Sequence, residues 1–285
     1  MALTVNTNVA SLTAQRNLNK STSALGRTFE RLSSGLRING AGDDAAGLSI
    51  STRMTSQIRG FNQATRNTND AISMIQVAEG ALEETESALQ RMRELSVQAA
   101  SDTLTISDRQ DIWTEITQLV SEIDRIATDT EFNGTQLIGD STTLAVKFQV
   151  GADAGKTVDL TFNIAGASAI GVGSTVVESA TYIGTLGTTS AQSHANDMIG
   201  YLDTAISSVS DIRATLGAMQ NRLESIATNL AHVSEGTEAA RARIMDADIA
   251  AETASLTRNA ILQQAGSAIL AQANAQPQLA LQLLG

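Results

Sequence analysis

The sequence predicts a mainly α protein: a long antiparallel coiled-coil helix bundle, with a small β-hairpin region in the middle of the chain and terminal helices paired with each other. Three observations carry this prediction. Two apolar repeats at alternating spacings of four and three occupy the two halves of the chain, a stretch between them switches to a period of two, and a shorter amphipathic segment stands at each end beyond a break. One proline and 3% aromatic residues in 285 favour long unbroken helices with aliphatic cores over a compact enzyme.

The organising stretch is residues 198–233. Eleven apolar positions there, among them Leu202, Val209, Leu216, Leu223 and Leu230, alternate by four and three with no polar interruption. An average repeat of 3.5 residues keeps one helical stripe facing a partner through a left-handed supercoil, and about five heptads span roughly 54 Å at ~1.5 Å per residue. Such a helix requires an equally long neighbour.

Taken in order, residues 1–8 are Asn/Thr-rich and are expected to be loosely structured. Leu18, Thr22, Leu25, Phe29, Leu32 and Leu36 then form a short seam of the same kind, with Arg16, Lys20, Arg27, Glu30 and Arg31 on a solvated face. This helix is marginal alone and needs a partner. Gly35 and residues 39–44 break it, and Asp43 or Asp44 is placed to cap the next helix. No Lys-Ser/Thr comes after that glycine-rich run and no strand precedes it, which argues against a phosphate cradle. The adjacent aspartates lack the alternating ligands of a calcium loop. The break is read as a domain boundary.

Residues 50–99 carry a second seam of fifteen positions without a phase slip, Gln57, Thr68, Thr85 and Ser96 being its polar members. It is the expected partner of the 198–233 seam. A third helix carries Ile112, Ile116, Leu119, Ile123 and Ile126, with Ser107 or Asp108 as its N-cap and Trp113 beside the stripe in a packing role. Phe132-Asn133-Gly134 makes a turn. Leu144, Val146, Phe148 and Val150, then Val158, Leu160, Phe162 and Ile164, alternate on either side of a Gly/Ala/Asp turn, the pattern of a β-hairpin with one apolar face. A lone hairpin is unstable in water, so it must lie on the helices.

Residues 165–192 are Gly/Ser/Thr/Ala-rich and read as a surface loop. After the long seam and Arg243 comes a last helix with Leu256, Leu262, Ala265, Ile269 and Ala273 on one side, ending in a leucine-rich tail, Leu279, Leu281, Leu283 and Leu284, with nowhere of its own to be buried. A partner surface is implied.

The chemistry of catalysis is missing. A net charge of −11 argues against a nucleic-acid partner and an anionic membrane surface, and the absence of cysteine excludes disulfides, thiolate metal sites and cysteine nucleophiles. His194 and His232 have no ligand-spaced neighbours, and no Gly-x-Ser-x-Gly elbow exists, so no catalytic, cofactor or metal residue is named. No cleavable signal and no apolar run of 18 residues is present, which by sequence rules reads as cytosolic unless export uses another signal. Chain ends that pair while exposing apolar surface suit a protein that completes its core by stacking on copies of itself. The candidate self-assembly residues are Leu18, Leu25, Phe29, Leu32, Leu36, Leu262, Ile269, Leu279, Leu281, Leu283 and Leu284.

At these ends the chain also resembles the bacterial flagellins. Asn6-Thr7-Asn8, Arg31-Leu-Ser-Ser-Gly-Leu-Arg-Ile-Asn39 leading into Asp43-Asp-Ala-Ala-Gly47, Gln90-Arg-Met-Arg-Glu-Leu95, Leu262-Gln-Gln-Ala-Gly266 and Leu270-Ala-Gln-Ala-Asn274 are similar to that family's terminal regions, in the same order. The resemblance covers about 1–165 and 195–285. It implies a structural subunit that self-assembles into the flagellar filament for swimming, is exported by the flagellar type III apparatus without a cleaved signal, and lies outside the cell. The implied partners are other copies of the chain, an export chaperone, the filament cap and the hook-filament junction proteins, with no cofactor.

The implied domains are a D0 N-terminal helix at 1–43, a D1 N-terminal part at 44–165, a short loop at 166–194 in place of the outer D2 and D3 domains, a D1 C-terminal helix at 195–245 and a D0 C-terminal helix at 246–285. By motif match Arg91, Leu95 and Glu115 carry over as contacts of the host flagellin-sensing Toll-like receptor; the tail is similar to the part gripped by the export chaperone and by cytosolic sensors. The alternatives are a hook-filament junction protein with flagellin-like ends and an enzyme in the middle loop. The loop's shortness and the missing His-Glu-x-x-His oppose the second.

Overall fold

The computed structural model describes residues 7–139, 142–173 and 188–282, without the side chains of 188–191 and 277–282. Its helices are α1 (Val9–Ser34), α2 (Ala45–Ala99), α3 (Ile106–Asp129), α4 (Thr188–Met245) and α5 (Ile249–Gln282). Two small antiparallel hairpins lie between α3 and α4 in the chain: β1 (Glu131–Phe132) with β2 (Thr135–Gln136), and β3 (Leu144–Gln149) with β4 (Thr157–Phe162). The chain divides into two compact units, one of Met1–Ile58 with Glu235–Gly285 and one of Arg59–Ser234.

Within the Arg59–Ser234 unit the long seams behave as their spacing predicts. Every seam position of α2 from Ala64 to Ala99 is buried, including the polar Thr68, Thr85 and Ser96, whose hydroxyls donate to the carbonyl four residues back. That local bond satisfies each hydroxyl without a partner helix having to supply an acceptor. On α4, Met198, Leu202, Ala205, Val209, Leu216, Leu223 and Leu230 are buried in the same cluster or on the same stripe. The polar edges fix direction and register: Arg93 pairs with Asp203 at 2.6 Å, Arg213 with Glu79 at 2.8 Å and with Glu86, and the Ser234 hydroxyl reaches Asn62 at 3.4 Å. Residue numbers fall on one helix as they rise on the other, so the two are antiparallel. The Arg213 guanidinium is held in its charged form by Glu79 first and Glu86 second.

α3 lays Ile112, Trp113, Ile116, Val120 and Ile123 into this core. Its N-cap is Thr105 rather than Ser107 or Asp108: Asp108 is the third helical residue of a capping box, its backbone N–H donating to the Thr105 hydroxyl while its carboxylate accepts from the Thr105 backbone. Trp113 is packed as expected, and its indole N–H has no hydrogen-bond partner among the described residues. Arg109, which no periodic pattern singles out, is fully buried and donates to the carbonyls of Ala99 and Ser101, closing the C-terminal end of α2.

Phe132-Asn133-Gly134 turns as predicted, with Asn133 and Gly134 both at positive φ (50° and 74°), the geometry of the tight hairpin turn that Asn-Gly favours. The larger hairpin pairs Leu144 with Phe162 through Gln149 with Thr157, and Val158, Leu160 and Phe162 enter the core. Asn67 of α2 donates to the Gln149 carbonyl at 3.0 Å, so the hairpin is fastened to the helix it rests on. The predicted surface loop at 165–192 is corrected at both ends. Ala165, Ala167, Ile170 and Val172 are buried, the Ala167 N–H is held by Asp124, and α4 begins at Thr188; residues 174–187 lie outside the described residues. Small residues read as loop composition here because alanine and glycine carry no periodicity signal, although they pack well in a tight turn.

Leu89→Ala in the α2 seam is expected to cost about 2–5 kcal/mol in urea unfolding, whereas Trp113→Phe, which keeps most of the volume and removes the unpaired N–H, costs less than about 1.5 kcal/mol. Hydrogen bonds from the Thr105 side chain and backbone hold the Asp108 carboxyl below its ordinary range. A depressed folded-state value stabilises above the unfolded-state value and loses that contribution as pH falls through the folded one, so the α3 N-terminus loosens below about pH 4. Thr105→Ala abolishes that acid-dependent step, read by amide exchange in α3, and costs about 1 kcal/mol at neutral pH.

Candidate functional site

The candidate site is the pair formed by the terminal helices α1 and α5 in the unit that holds both chain ends. They run antiparallel and are fastened at both ends. Asn8 Nδ2 donates to the Ala273 carbonyl at 2.7 Å and Ser11 Oγ to Asn274 Oδ1 at 2.6 Å, while at the opposite end Arg31 pairs with Glu252 at 3.2 Å. Beyond Arg31 the two connecting segments form one antiparallel bridge, Leu36 with Asp246, in which Arg37 N–H donates to the Met245 carbonyl and Ala247 N–H to the Gly35 carbonyl. The Arg37 guanidinium donates twice to the Ile244 carbonyl, at 2.7 and 3.2 Å, satisfying an acceptor that the end of α4 would leave open. Asp44 opens α2, its carboxylate accepting from the Gly47 N–H at 2.9 Å.

The faces that the two helices turn toward each other combine leucines with small and polar residues. On α1 the covered positions are Ser11, Ala14, Leu18, Ser21, Leu25, Thr28 and Leu32; on α5 they are Glu252, Leu256, Asn259, Gln263, Gly266, Leu270 and Ala273. Both sets alternate by four and three. A Cβ added at Gly266 would stand 3.3 Å from Leu18 Cδ1, so the backbones approach closely there.

This corrects the phase of both terminal seams. Leu18, Leu25 and Leu32 face inward as predicted, but Phe29 is 65% exposed and Thr22 is exposed, their seam places being taken by Thr28 and Ser21. On α5, Leu262 is 49% and Ile269 60% exposed, and Ala265 is exposed; only Leu256 and Ala273 of the predicted stripe are covered. Leu36 is half-buried in the bridged segment. Leu279 and Leu281 lie on α5 with side chains outside the description, and Leu283 and Leu284 lie outside the described residues. Close approach of the two backbones seats Ala14, Gly266 and Ala273 between the covered leucines, so the contact is narrow and Phe29, Leu262 and Ile269 at its flanks stay outside it.

The apolar side chains left exposed are the chemically active feature of the pair. Val9, Leu12 and Phe29 on α1, and Ile249, Ile261, Leu262 and Ile269 on α5, are exposed, and Ile261 and Leu262 line a shallow groove with Ala254, Thr257 and Arg258. Complete burial of such a side chain is worth about 1.5–3 kcal/mol, so these seven half-exposed groups hold on the order of 5–10 kcal/mol of transfer free energy that the chain by itself does not recover.

A second patch lies on the other unit. Arg91 donates to Glu115 of α3 at 2.8 and 3.0 Å and to Glu94 at 3.2 Å, and this pairing, with Glu115 the larger influence, strengthens its proton affinity. Both Arg91 and Glu115 are exposed, but Leu95 is only 2% exposed and belongs to the core. Among the described residues no three His, Cys, Asp or Glu side chains are grouped as a metal site, and no helix is long and apolar enough to cross a membrane.

Against known proteins, residues 5–143 match the bacterial flagellin N-terminal helical region and residues 199–284 the bacterial flagellin C-terminal helical region. The chain is 46% identical over 280 residues to a flagellin of Halalkalibacterium halodurans, covering 98% of this chain and 99% of that one. The chain belongs to the bacterial flagellin family. A flagellin of Bacillus subtilis strain 168 is 45% identical over 303 residues, again covering 98% of this chain and 99% of the relative. A solved flagellar hook-associated protein from Vibrio parahaemolyticus shares the fold, with a TM-score of 0.62 at 14% identity over 72% of this chain and 100% of that one. The flagellin family is structural, and near-complete coverage of relatives about as long as this chain makes it a short form, with no large domain between the two matched regions.

Gly266→Val places methyl groups against Leu18 and is expected to lower amide-exchange protection in both α1 and α5. Gly217→Ala, at a position with open space, leaves protection unchanged or raises it.

Proposed function

We propose that this flagellin-family chain is a repeating structural subunit of the flagellar filament, and that copies join by burying the outward faces of α1 and α5 against one another. The observation that carries the reading is the division of apolar surface in the terminal pair: Leu18, Leu25, Leu32, Leu256 and Leu270 are covered within it, while Phe29, Ile261, Leu262 and Ile269 stay exposed. A helix pair meant to remain alone gains nothing from exposing Phe29, Ile261 and Ile269; a pair that finishes its core with neighbours gains their transfer free energy. Heterologous contacts whose rotation does not close a ring repeat from copy to copy and generate a helical polymer.

In this reading residues 1–43 and 246–285 form the D0 filament core, 44–165 and 195–245 form D1, and 166–194 replace the outer domains. Full-length identity to flagellins favours the repeating subunit over a hook-filament junction protein, whose assembly stops at a ring. The subunit leaves the cell through the flagellar export apparatus, meets an export chaperone through its C-terminal tail, and is placed between the junction proteins and the cap. A host flagellin-sensing Toll-like receptor reads the patch at Arg91 and Glu115. Leu95 supports that patch from the core and does not offer a contact of its own.

Removing residues 246–285 is expected to leave a helical 59–234 unit that no longer elongates sheared filament seeds in electron micrographs; unlimited elongation by the truncated chain would refute the assignment. Ile261→Ser with Ile269→Ser leaves the monomer's helicity unchanged, since both side chains are exposed, and raises the critical concentration for elongation at least tenfold.

A further inference from the structure

The terminal pair is polarised in charge as well as in apolar surface. No Asp or Glu occurs among residues 1–29, and none among residues 253–285. Over the same stretches stand Arg16, Lys20 and Arg27 on α1 and Arg258 on α5, in a chain whose net charge is −11. Arg16, Lys20 and Arg27 are spaced four and seven apart, which sets them within about 40° of one another on the helix. All are exposed, and none makes an ion pair or hydrogen bond among the described residues. Arg31, the next cation along the stripe, shows what it does when carboxylates lie within reach: it pairs with Glu252 at 3.2 Å and Asp43 at 3.9 Å.

The carboxylates of the pair are gathered at that same end. Glu30, Asp246 and Asp248 are exposed and form no ion pair among the described residues, although the Asp248 carboxylate also accepts from the first N–H groups of α5. The pair is therefore cationic along one length, and its carboxylates are confined to one end, where they stand among Arg31, Arg37, Arg241 and Arg243. Packing copies side by side in register would set like charges against each other, at a cost in every contact. A staggered, head-to-tail arrangement sets the cationic stripe of one copy against the carboxylate end of the next.

We infer that Arg16, Lys20 and Arg27 dock onto Glu30, Asp246 and Asp248 of a second copy of this chain, and that this charge pairing selects a staggered head-to-tail contact. The inference rests on the filament reading and adds direction to it. Apolar burial is non-directional and does not distinguish staggered from in-register copies, whereas opposed charge ends do. The contact is heterologous, so it can be repeated from copy to copy along a filament.

The test is seeded elongation of full-length protein, with critical concentration measured at low and high sodium chloride. R16Q/K20Q/R27Q and E30Q/D246N/D248N are each expected to raise the critical concentration at least tenfold at low salt, with the difference from wild type shrinking as salt is added. Asn at 248 retains the capping function, and R16K/R27K, which keeps the charges, elongates like wild type. The combined six-site variant is expected to be little worse than either triple variant, because the two sets share one interaction. Equal critical concentrations for the triple variants and wild type, effects that simply multiply in the combined variant, or effects indifferent to salt would each overturn the inference while leaving the filament reading in place. Loss of binding to phosphatidylglycerol vesicles by the Gln triple variant with elongation unchanged would assign the stripe to a lipid surface instead. Failure of the wild-type chain to elongate seeds would remove both readings.

Discussion

The register between α2 and α4 is the constraint on which the rest depends. Buried side chains at alternating spacings of four and three commit both helices to one face each, and a slip of even one residue would turn that face toward water. Arg93 with Asp203 and Arg213 with Glu79 and Glu86 lie at the edges of the seam rather than within it. Half-exposed pairs of this kind contribute on the order of 1 kcal/mol or less each. Their value is in direction, since apolar stripes alone would accept a parallel pairing or a shifted one.

Once that register is set, shorter elements have somewhere to go. α3 is a 24-residue helix with a narrow stripe, and the hairpin has two six-residue strands; neither would be stable alone. Each lays its apolar face on the α2 and α4 core, and each is tied by a polar contact that also satisfies backbone: Arg109 on the carbonyls ending α2, Asn67 on the carbonyl of Gln149, Asp124 on the N–H of Ala167. These three polar side chains serve a helix end and turns, where carbonyls and N–H groups would otherwise be left unpaired.

The terminal pair obeys the opposite rule. Its internal contact seats Ala14, Thr28, Gly266 and Ala273 among Leu18, Leu25, Leu32, Leu256 and Leu270, while Phe29, Ile261, Leu262 and Ile269 face out. Covered leucines, close backbone approach and end fastening hold the pair together, and the exposed apolar side chains are left for neighbours. Charge is sorted along the same pair, with carboxylates confined to the end where the Leu36 and Asp246 segments bridge. Attraction without direction and direction with modest attraction are thus supplied by different residues of one helix pair.

The sequence alone determined the helical class, the two long seams, the hairpin, the Asn-Gly turn and the pairing of the ends, because each depends on periodicity or on local backbone preference, which a sequence records directly. It also carried the flagellin resemblance, through motifs at both ends. What only the tertiary structure decided was which side of a helix meets which neighbour. Phe29, Leu262 and Ile269, placed by spacing on the terminal stripes and named among the self-assembly residues, face out instead of toward the other terminal helix, and Leu95, named as a receptor contact, lies in the core. Residues 165–173 read as loop and proved to be packed. The reason is physical: hydrophobicity states that a side chain will be buried, but whether its cover is its own chain or another is fixed by the distance between backbones, which enters only when the helices are brought together.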